Sequence, residues 1–487
     1  MANLLSIGKS GLDASKKALK TTGHNIANVN TEGYSRQRVQ QSANSPVTSG
    51  GVNVGTGVKV DSVNRISDEY VEKRLNKTTS DNEYYSATSD RLAEVEMIFN
   101  DIDGNGLHSI INEFFNSFRD LANQPENETM RSVVRDKAGL VVKDFKRISS
   151  TLNEISNGID SRISHDVDTI NTITNKIAKL NGEIRKLEAG RGETGDLRDQ
   201  RDLEIKNLSK YFSVNTYVDD DGNYNVDAQG VGTLVAGKST QELTIKRASK
   251  DESGNGIDGA KEIYLKNRPA SPITSKFRGG SFSGLTKVRN DHIAGLQEKM
   301  DKIAFEFMNA VNAVHRQGYV HRHIEMNSSG EPVPFDGKGP TTGINFFEDP
   351  MLQAGAAERM KLSDDVLNDV TNIATSLKAN SPGDNRISVA ISKLQHEKIL
   401  ENGEASIEDS YLKSIGNVGL EASKAKMNLE HSTGLLAQAQ GIRERLSGVS
   451  IDEETANMMR YQQAYDASAK VLKAADEMFQ TVLSIKR

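Results

Sequence analysis

Two runs of apolar residues spaced seven apart, one at each end of a 487-residue chain, constrain its fold more than any other feature. Leu5, Leu12, Leu19 and Ile26 form the first run. Ile451, Met458, Tyr465, Leu472 and Phe479 form the second. A seven-residue repeat keeps its side chains along one seam of a helix. Gly8, Ser15 and Thr22 fill the second seam position at the N-terminal end. Tyr461, Ser468, Ala475 and Val482 fill it at the C-terminal end. Small seam residues let another backbone come close. The last helix is expected to start at a capping box of Ser450 and Glu453 and to run about 52 Å from Ile451 to Ile485. Far apart in sequence but alike in period, each helix is expected to be the other's partner.

One seam alone is a weak anchor. Four large residues, fully buried, return about 6–12 kcal/mol. Ordering some 25 backbone units costs roughly 25–50 kcal/mol before helix hydrogen bonds return part of it. Both ends are therefore expected to be loose in a monomer and to order when neighbouring subunits pack around them.

The interior carries further seams. Phe145, Ile148, Leu152, Ile155 and Ile159 lead into Ile163, Ile170, Ile177 and Ile184, with Ile173, Leu180 and Leu187 between. Unbroken from Arg131 to Glu188, this helix would be about 87 Å long, with Gly158 as a place to kink. Similar stripes run from Leu107 to Leu121, from Ile293 to Val314, and from Tyr411 to Ala439. Residues 212–282 differ, being rich in glycine and β-branched residues. "VNTYVDDDGNYNV" alternates on both sides of Asp219–Asn223, which predicts a β-hairpin. "ELTIKR" and "EIYLKN" read as further strands.

The expected fold is mainly α: long, antiparallel, coiled-coil-like helices, terminal segments packing together, with a small β-rich inserted domain. The expected units are residues 1–35 with 450–487, residues 36–211 with 283–449, and the insertion 212–282.

Composition narrows the chemistry. Sixty-one basic against 67 acidic residues leave a net charge of −6, with no bulk attraction to nucleic acid or anionic lipid. There is no cysteine, so disulfides and thiolate chemistry are excluded. The start, "MANLLSIGKSGLDASKKALK", lacks the apolar core of a cleavable signal peptide. No stretch approaches the ~20 apolar residues of a membrane span.

No catalytic constellation stands out. Asp101, Asp103, Asn105 and Gly106 match the start of a calcium loop, but position twelve is Asn112 and Glu113 comes one residue late. A polar turn is the better reading. "DDDGN" at Asp219 has its glycine misplaced for calcium, which favours the hairpin turn. His315, His321 and His323 lack a third ligand at helical spacing and read as an exposed basic patch. "GVNVGTG" and "RGGSFSG" lack the ending of a phosphate loop. His24 and Ser35 read as groups satisfying nearby backbone. No cofactor or metal is expected, and no enzyme activity.

"TTGHNIANVNTEGYSRQRV" (residues 21–39) joins the first helix to the next domain. It resembles the N-terminal signature of the flagellar axial proteins, the rod, hook and hook-associated group. Asn25, Ile26, Ala27, Asn28, Asn30, Thr31, Gly33 and Tyr34 carry the match. "ANMMRYQQAYDASAKVLKAADEMFQTVLSI" resembles that group's terminal helix. "GDLRDQRDLEIKNLSKYFSV", "LHSIINEFFNSFRDLANQPENETMRSVVRDKAGLVVKDF" and "GINFFEDP" are similar to the hook-associated protein 1 family within it.

The resemblance implies a structural, non-enzymatic role at the junction between hook and filament. It implies a ring of identical copies around the axial channel, with hook protein below and a second junction protein and filament above. It further implies secretion through the flagellar type III route, with an export chaperone holding the C-terminal helix. A hook or distal-rod protein is the alternative inside the group, and a flagellum-borne wall hydrolase the alternative outside it. The seam residues named above are the expected assembly interface.

Overall fold

The computed structural model describes residues 2–49, 52–99, 106–190, 192–247, 259–329, 331–333, 340–401 and 403–485. Twelve α-helices occur among them. They are α1 Ala2–Ala27, α2 Glu69–Phe99, α3 Leu107–Asn123, α4 Glu128–Ala189, α5 Gly195–Ser209, α6 Gly280–Lys287, α7 Ala294–His315, α8 Ala356–Arg359, α9 Asp364–Asn368, α10 Arg386–Lys393, α11 Ile407–Ser447 and α12 Ile451–Ile485. Helices α1, α3, α4, α7, α11 and α12 fall where the stripes predict them, whereas the 31-residue α2, whose buried face includes Thr79, Ser80 and Thr88, has no stripe in the sequence reading.

Helix α4 is the spine. Its 62 residues run unbroken through Gly158, about 93 Å at 1.5 Å per residue. Asn127 caps its start, its side chain accepting from the Thr129 N–H. The predicted stripe is its buried face: Phe145, Ile148, Leu152, Ile159, Ile163, Ile170, Ile177 and Ile184 are all inside. Leu187 is exposed, so the seam stops there. Around the N-terminal half of α4, Phe114, Phe115, Phe118, Phe307, Phe346 and Phe347 form one aromatic core. Most of these ring pairs are tilted or edge-on, the favoured arrangement for the ring quadrupole. Periodicity does not reveal that α7 is preceded by a π-helical turn, Val288–Ile293.

The insertion has the expected β character, in two small antiparallel sheets. Strands β5 Val214–Val218, β6 Tyr224–Ala228, β7 Gly232–Ala236 and β8 Ser239–Thr240 form one. Strands β9 Leu243–Arg247, β10 Lys261–Leu265 and β11 Arg268–Pro272 form the other. Asp219 organises the β5–β6 turn by accepting from the N–H groups of Asp221 and Asn223. Those bonds and the Asn225 amide hold its carboxyl below the usual value. A further ribbon lies outside the insertion. It pairs β1 Gln37–Ala43 and β4 Val58–Arg65 antiparallel, with a register shift between Gln40 and Gln41, and between them β2 Val47–Ser49 pairs β3 Val52–Val54.

The terminal helices do pair. Helices α1 and α12 run antiparallel, Gly8 against Leu472 and Gly11 against Ser468. The contact is made by the small seam rather than the large one. Gly8, Ala14, Ser15, Ala18, Thr21, Thr22 and Asn25 are buried, while Leu5, Leu12, Leu19 and Ile26 are only half-buried. A β-carbon at Gly8 would lie 3.2 Å from the Leu472 backbone nitrogen, so the helices meet nearly backbone to backbone. Two large seams cannot face each other at that separation, and the leucines are displaced to the flank.

Replacing Gly8 by Val should therefore push α12 away. We expect a loss of about 1–3 kcal/mol in the α1–α12 contact, as for an over-packed site. Hydrogen exchange should report faster amides in α12, with α4 unchanged.

Candidate assembly knot at the terminal helices

The loop after α1 folds back onto its own helix, and one amide holds it there. Asn25 is 1% exposed. Its Nδ2 donates to the Gln37 carbonyl at 2.9 Å and to Glu454 Oε2 on α12 at 3.0 Å. Its Oδ1 accepts from the Gln37 N–H at 2.9 Å and from the Tyr34 hydroxyl at 2.8 Å. Two donors and two acceptors are all used, which only a carboxamide can supply.

Glu454, at 2% exposure, is the other half of the knot. A buried carboxylate needs a charged partner. Arg36 supplies it, with Nε 2.8 Å and a terminal nitrogen 2.7 Å from Glu454 Oε1. Arg36 also reaches Glu453 at 2.6 Å. Burial works against the Arg36 charge, yet the two carboxylates outweigh it and hold the guanidinium above its usual value. The predicted capping box at Ser450 and Glu453 is thus only half made. The Glu453 N–H sits 3.5 Å from Ser450 Oγ, but the Glu453 carboxylate goes to Arg36, a stronger partner than a backbone amide.

The rest of the motif shapes the loop. Asn28 donates to the His24 carbonyl, and Thr31 donates to Asn28 Oδ1. Gly33 sits at φ +82°, and a β-carbon there would lie 3.1 Å from the Leu203 Cβ. Glycine is the residue that accepts both conditions. Tyr34 is pushed up by burial, helped by Asp196, Asp199 and Glu454, so its hydroxyl stays protonated and donates. Ile26 is half-buried, while Ala27, Asn30 and Thr31 lie at the surface.

The knot is tied to the body of the protein. The Ser35 N–H donates to Asp199 on α5 at 2.9 Å, and Asp199 also takes Arg65 at 2.9 Å. The Arg36 N–H donates to the Ser447 carbonyl at the end of α11. Arg443 on α11 donates to the Gly33 carbonyl at 2.8 Å and pairs with Glu72 on α2 at 3.3 Å. Burial pushes the Glu72 carboxyl up, with Arg443 opposing. Helices α1, α2, α5, α11 and α12 therefore meet through one polar network.

The expected interface residues are brought partly together. Met458, Tyr465 and Leu472 are half-buried on α12. Ile451 and Phe479 are exposed, at the two ends of that helix. Sequence reasoning misses Glu454 and Asp199. Glu454 does leave a signal: it continues the series Tyr461, Ser468, Ala475, Val482 by one repeat toward the N-terminus. A charged residue at a seam position asks for a buried partner.

Several sequence readings need correction. His315 is not part of an exposed patch. It is fully buried, Nδ1 lying 2.8 Å from the Ile344 carbonyl and Nε2 accepting from the Ala374 N–H at 2.9 Å. Burial pushes it down to about 4. His321 is half-buried and His323 exposed. His24 bonds the Tyr34 hydroxyl through its ring at 3.0 Å, and Ser35 accepts from Arg443 at 3.5 Å, so both tie side chains rather than backbone alone.

The remaining motifs have packing explanations. Asp101, Asp103 and Asn105 lie outside the described residues, and Glu113 pairs with Lys137 at 2.6 Å. In "GVNVGTG", Gly57 at φ +105° lies so close to Ser10 on α1 that a β-carbon would clash. In "RGGSFSG", a β-carbon at Gly280 would run into the Tyr211 carbonyl carbon. Among the described residues, no group of three or more His, Cys, Asp or Glu side chains could hold a metal ion.

The chain belongs to a class of flagellar axial proteins, which three family matches define. Residues 5–34 match the family described as "Flagella basal body rod protein". Residues 444–485 match "Flagellar basal body rod FlgEFG protein C-terminal". Residues 92–329 match "Flagellar hook-associated protein FlgK helical domain". The chain is 30% identical over 518 aligned positions to flagellar hook-associated protein 1 of Bacillus subtilis, covering 99% of this chain and 97% of that one. It is 25% identical to flagellar hook-associated protein 1 of Salmonella typhimurium, covering all of both. The chain belongs to the flagellar hook-associated protein 1 family. The flagellar hook junction protein FlgK from Burkholderia pseudomallei has the same fold, with a TM-score of 0.63 at 16% identity over 77% of this chain and 100% of that one.

Two outcomes test this network. Asn25→Ala strands the Gln37 N–H and carbonyl, the Tyr34 hydroxyl and Glu454, at a cost of about 1–3 kcal/mol. Asn25→Asp should cost more, because it sets a second carboxylate against Glu454. Urea midpoints at unchanged slope would measure both.

His315 supplies a pH test. Its folded value near 4 lies below the usual 6.5, so the unfolded chain binds the extra proton first as pH falls. Stability is full above pH 6.5 and is lost down to about pH 4, by about 3 kcal/mol. His315→Gln should remove that slope in urea titrations across this window.

Proposed function

We propose that the chain is a structural subunit of the bacterial flagellum, forming the junction between hook and filament as a ring of identical copies around the axial channel. The observation that carries this reading is the apolar surface left on the terminal pair. Beyond the stretch covered by α1, helix α12 exposes Met478, Phe479, Val482 and Leu483, each about half accessible. Leu5, Leu12, Leu19 and Ile26 are also incompletely covered along α1. An exposed run of this kind marks a contact surface. Neighbouring copies would cover it, and the terminal pair would gain there the stability that one small seam does not supply.

The division of labour follows the chain. The terminal pair, residues 1–35 with 450–487, faces the channel. The helical body, residues 36–211 with 283–449, forms the wall, and residues 212–282 lie outermost. Hook protein sits below, and a second junction protein and filament sit above. The route out of the cell is type III export, with a chaperone covering the apolar face of α12. The hook-associated match over residues 92–329 favours the junction over a hook or distal-rod role. The family is structural and is not an enzyme family.

Leu12→Asp and Phe479→Asp test the reading. Both should give a folded, soluble monomer whose α4 is as protected as in the parent. Cells carrying either should assemble bare hooks and shed filament subunits into the medium. Normal filaments from both variants would refute it.

A further inference from the structure

A cleft of about 460 Å³ opens between the starts of α2 and α5, the end of α4, and the β5–β6 hairpin. Nothing in the junction role uses it. Its walls are crowded with charge, and the charges do not cancel locally. Each carboxylate lining it already has a cation. Glu69 takes Lys73 at 2.6 Å, Glu72 takes Arg443 at 3.3 Å, Glu188 takes Arg198 at 2.5 Å, and Asp202 takes Arg65 at 2.6 Å.

Three lining cations are left without a carboxylate at hydrogen-bond distance among the described residues. Arg201 is the floor. It is 6% exposed, stacks 3.6 Å over the Tyr224 ring, and bonds only the neutral Asn181 Oδ1. Its Nε is buried without a hydrogen-bond partner, 3.8 Å from the Asp202 oxygen that faces away from Arg65. Burial pushes this guanidinium below its usual value. Arg185, one turn along α4 from Asn181, bonds only Asn223 Oδ1 and the Asp221 carbonyl. Lys238 lays its stem over Gly182 and makes no ion pair among the described residues. Asn181 and Asn223 connect the three, since Asn181 also donates to the Gly237 carbonyl and Asn223 lies against Gly237. A second orphan shares the cleft: Asn76 Oδ1 is buried with no donor.

We propose that this cleft is an anion site, taking a small oxyanion between Arg201, Arg185 and Lys238. A buried guanidinium whose one hydrogen bond goes to a neutral oxygen, and whose neighbouring carboxylate stays at 3.8 Å, gains from such a ligand, because charge-assisted bonds in a low dielectric exceed that neutral bond. The ligand would bridge α4 and α5 to the β5–β6 hairpin, so its occupancy would tighten the contact between those helices and the hairpin. Carboxylate and phosphate share the required chemistry.

The full-length protein should be titrated calorimetrically with citrate and, separately, with inorganic phosphate, at constant ionic strength in chloride. Saturable one-site binding of either supports the site, and the one that binds identifies the source. The double variant R185A/K238A changes two exposed side chains and should weaken binding at least tenfold while its circular dichroism stays the same. Ligand should also slow amide exchange over residues 219–240. Neither anion binding above chloride, or equal binding by the double variant, would overturn the proposal.

Discussion

A single buried carboxamide sets the position of both ends of this chain. Asn25 closes the loop after α1 by pairing with Gln37 and joins that loop to α12 through Glu454. Its location explains the choice of residue. Aspartate would lack the two donors and would confront Glu454, and an apolar side chain would strand four buried groups. Because Glu454 then requires Arg36, and the Arg36 backbone requires the end of α11, one polar choice fixes the register of an antiparallel pair separated by over four hundred residues. A buried polar residue within a seam is a known way to specify register at some expense of stability.

The register matters because the contact it fixes is thin. Gly8, Gly11, Ser15, Ala18 and Thr22 bury little area each, and they allow a close approach instead. Small seams pack well in only one alignment, so the knot and the seam supply complementary things: alignment from the polar network, intimacy from the glycines. The large apolar residues are thereby released from the pair. Leu12 and Leu19 on α1, and Phe479 and Val482 on α12, are left incompletely covered, the surface that the proposed ring would use. The exposed apolar surface and the internal knot are two consequences of one arrangement.

Helices α1, α3, α4, α7, α11 and α12 are legible in the sequence because they are strongly periodic, while α2 is long but buries Thr79, Ser80 and Thr88 on its inner face and so leaves no apolar stripe. The α4 stripe, the α11 stripe and the boundaries of α12 all follow from spacing. What periodicity cannot show is which of two seams faces inward. Both seams of α1 have the same period, and only the backbone separation, set by Gly8 and Gly11, decides for the small one. His315 escapes a sequence reading because polar neighbours along the chain hide a core position. The aromatic ring of Phe346 and the carbonyl of Ile344, both distant in sequence, define its surroundings. The knot is half legible. Resemblance points to Asn25, Gly33 and Tyr34, but Glu454, Asp199 and Arg443 enter from remote segments whose approach no local pattern encodes.

The central claim is that the chain's two ends are coupled energetically through the Arg36–Glu454 pair beside Asn25. A double-mutant cycle with Arg36→Met and Glu454→Gln, read by urea denaturation, measures this coupling directly. The account predicts a coupling energy of about 1.5–3 kcal/mol, well above the scatter of independent sites. Additivity within about 0.5 kcal/mol would mean that the two ends are held by something other than this knot.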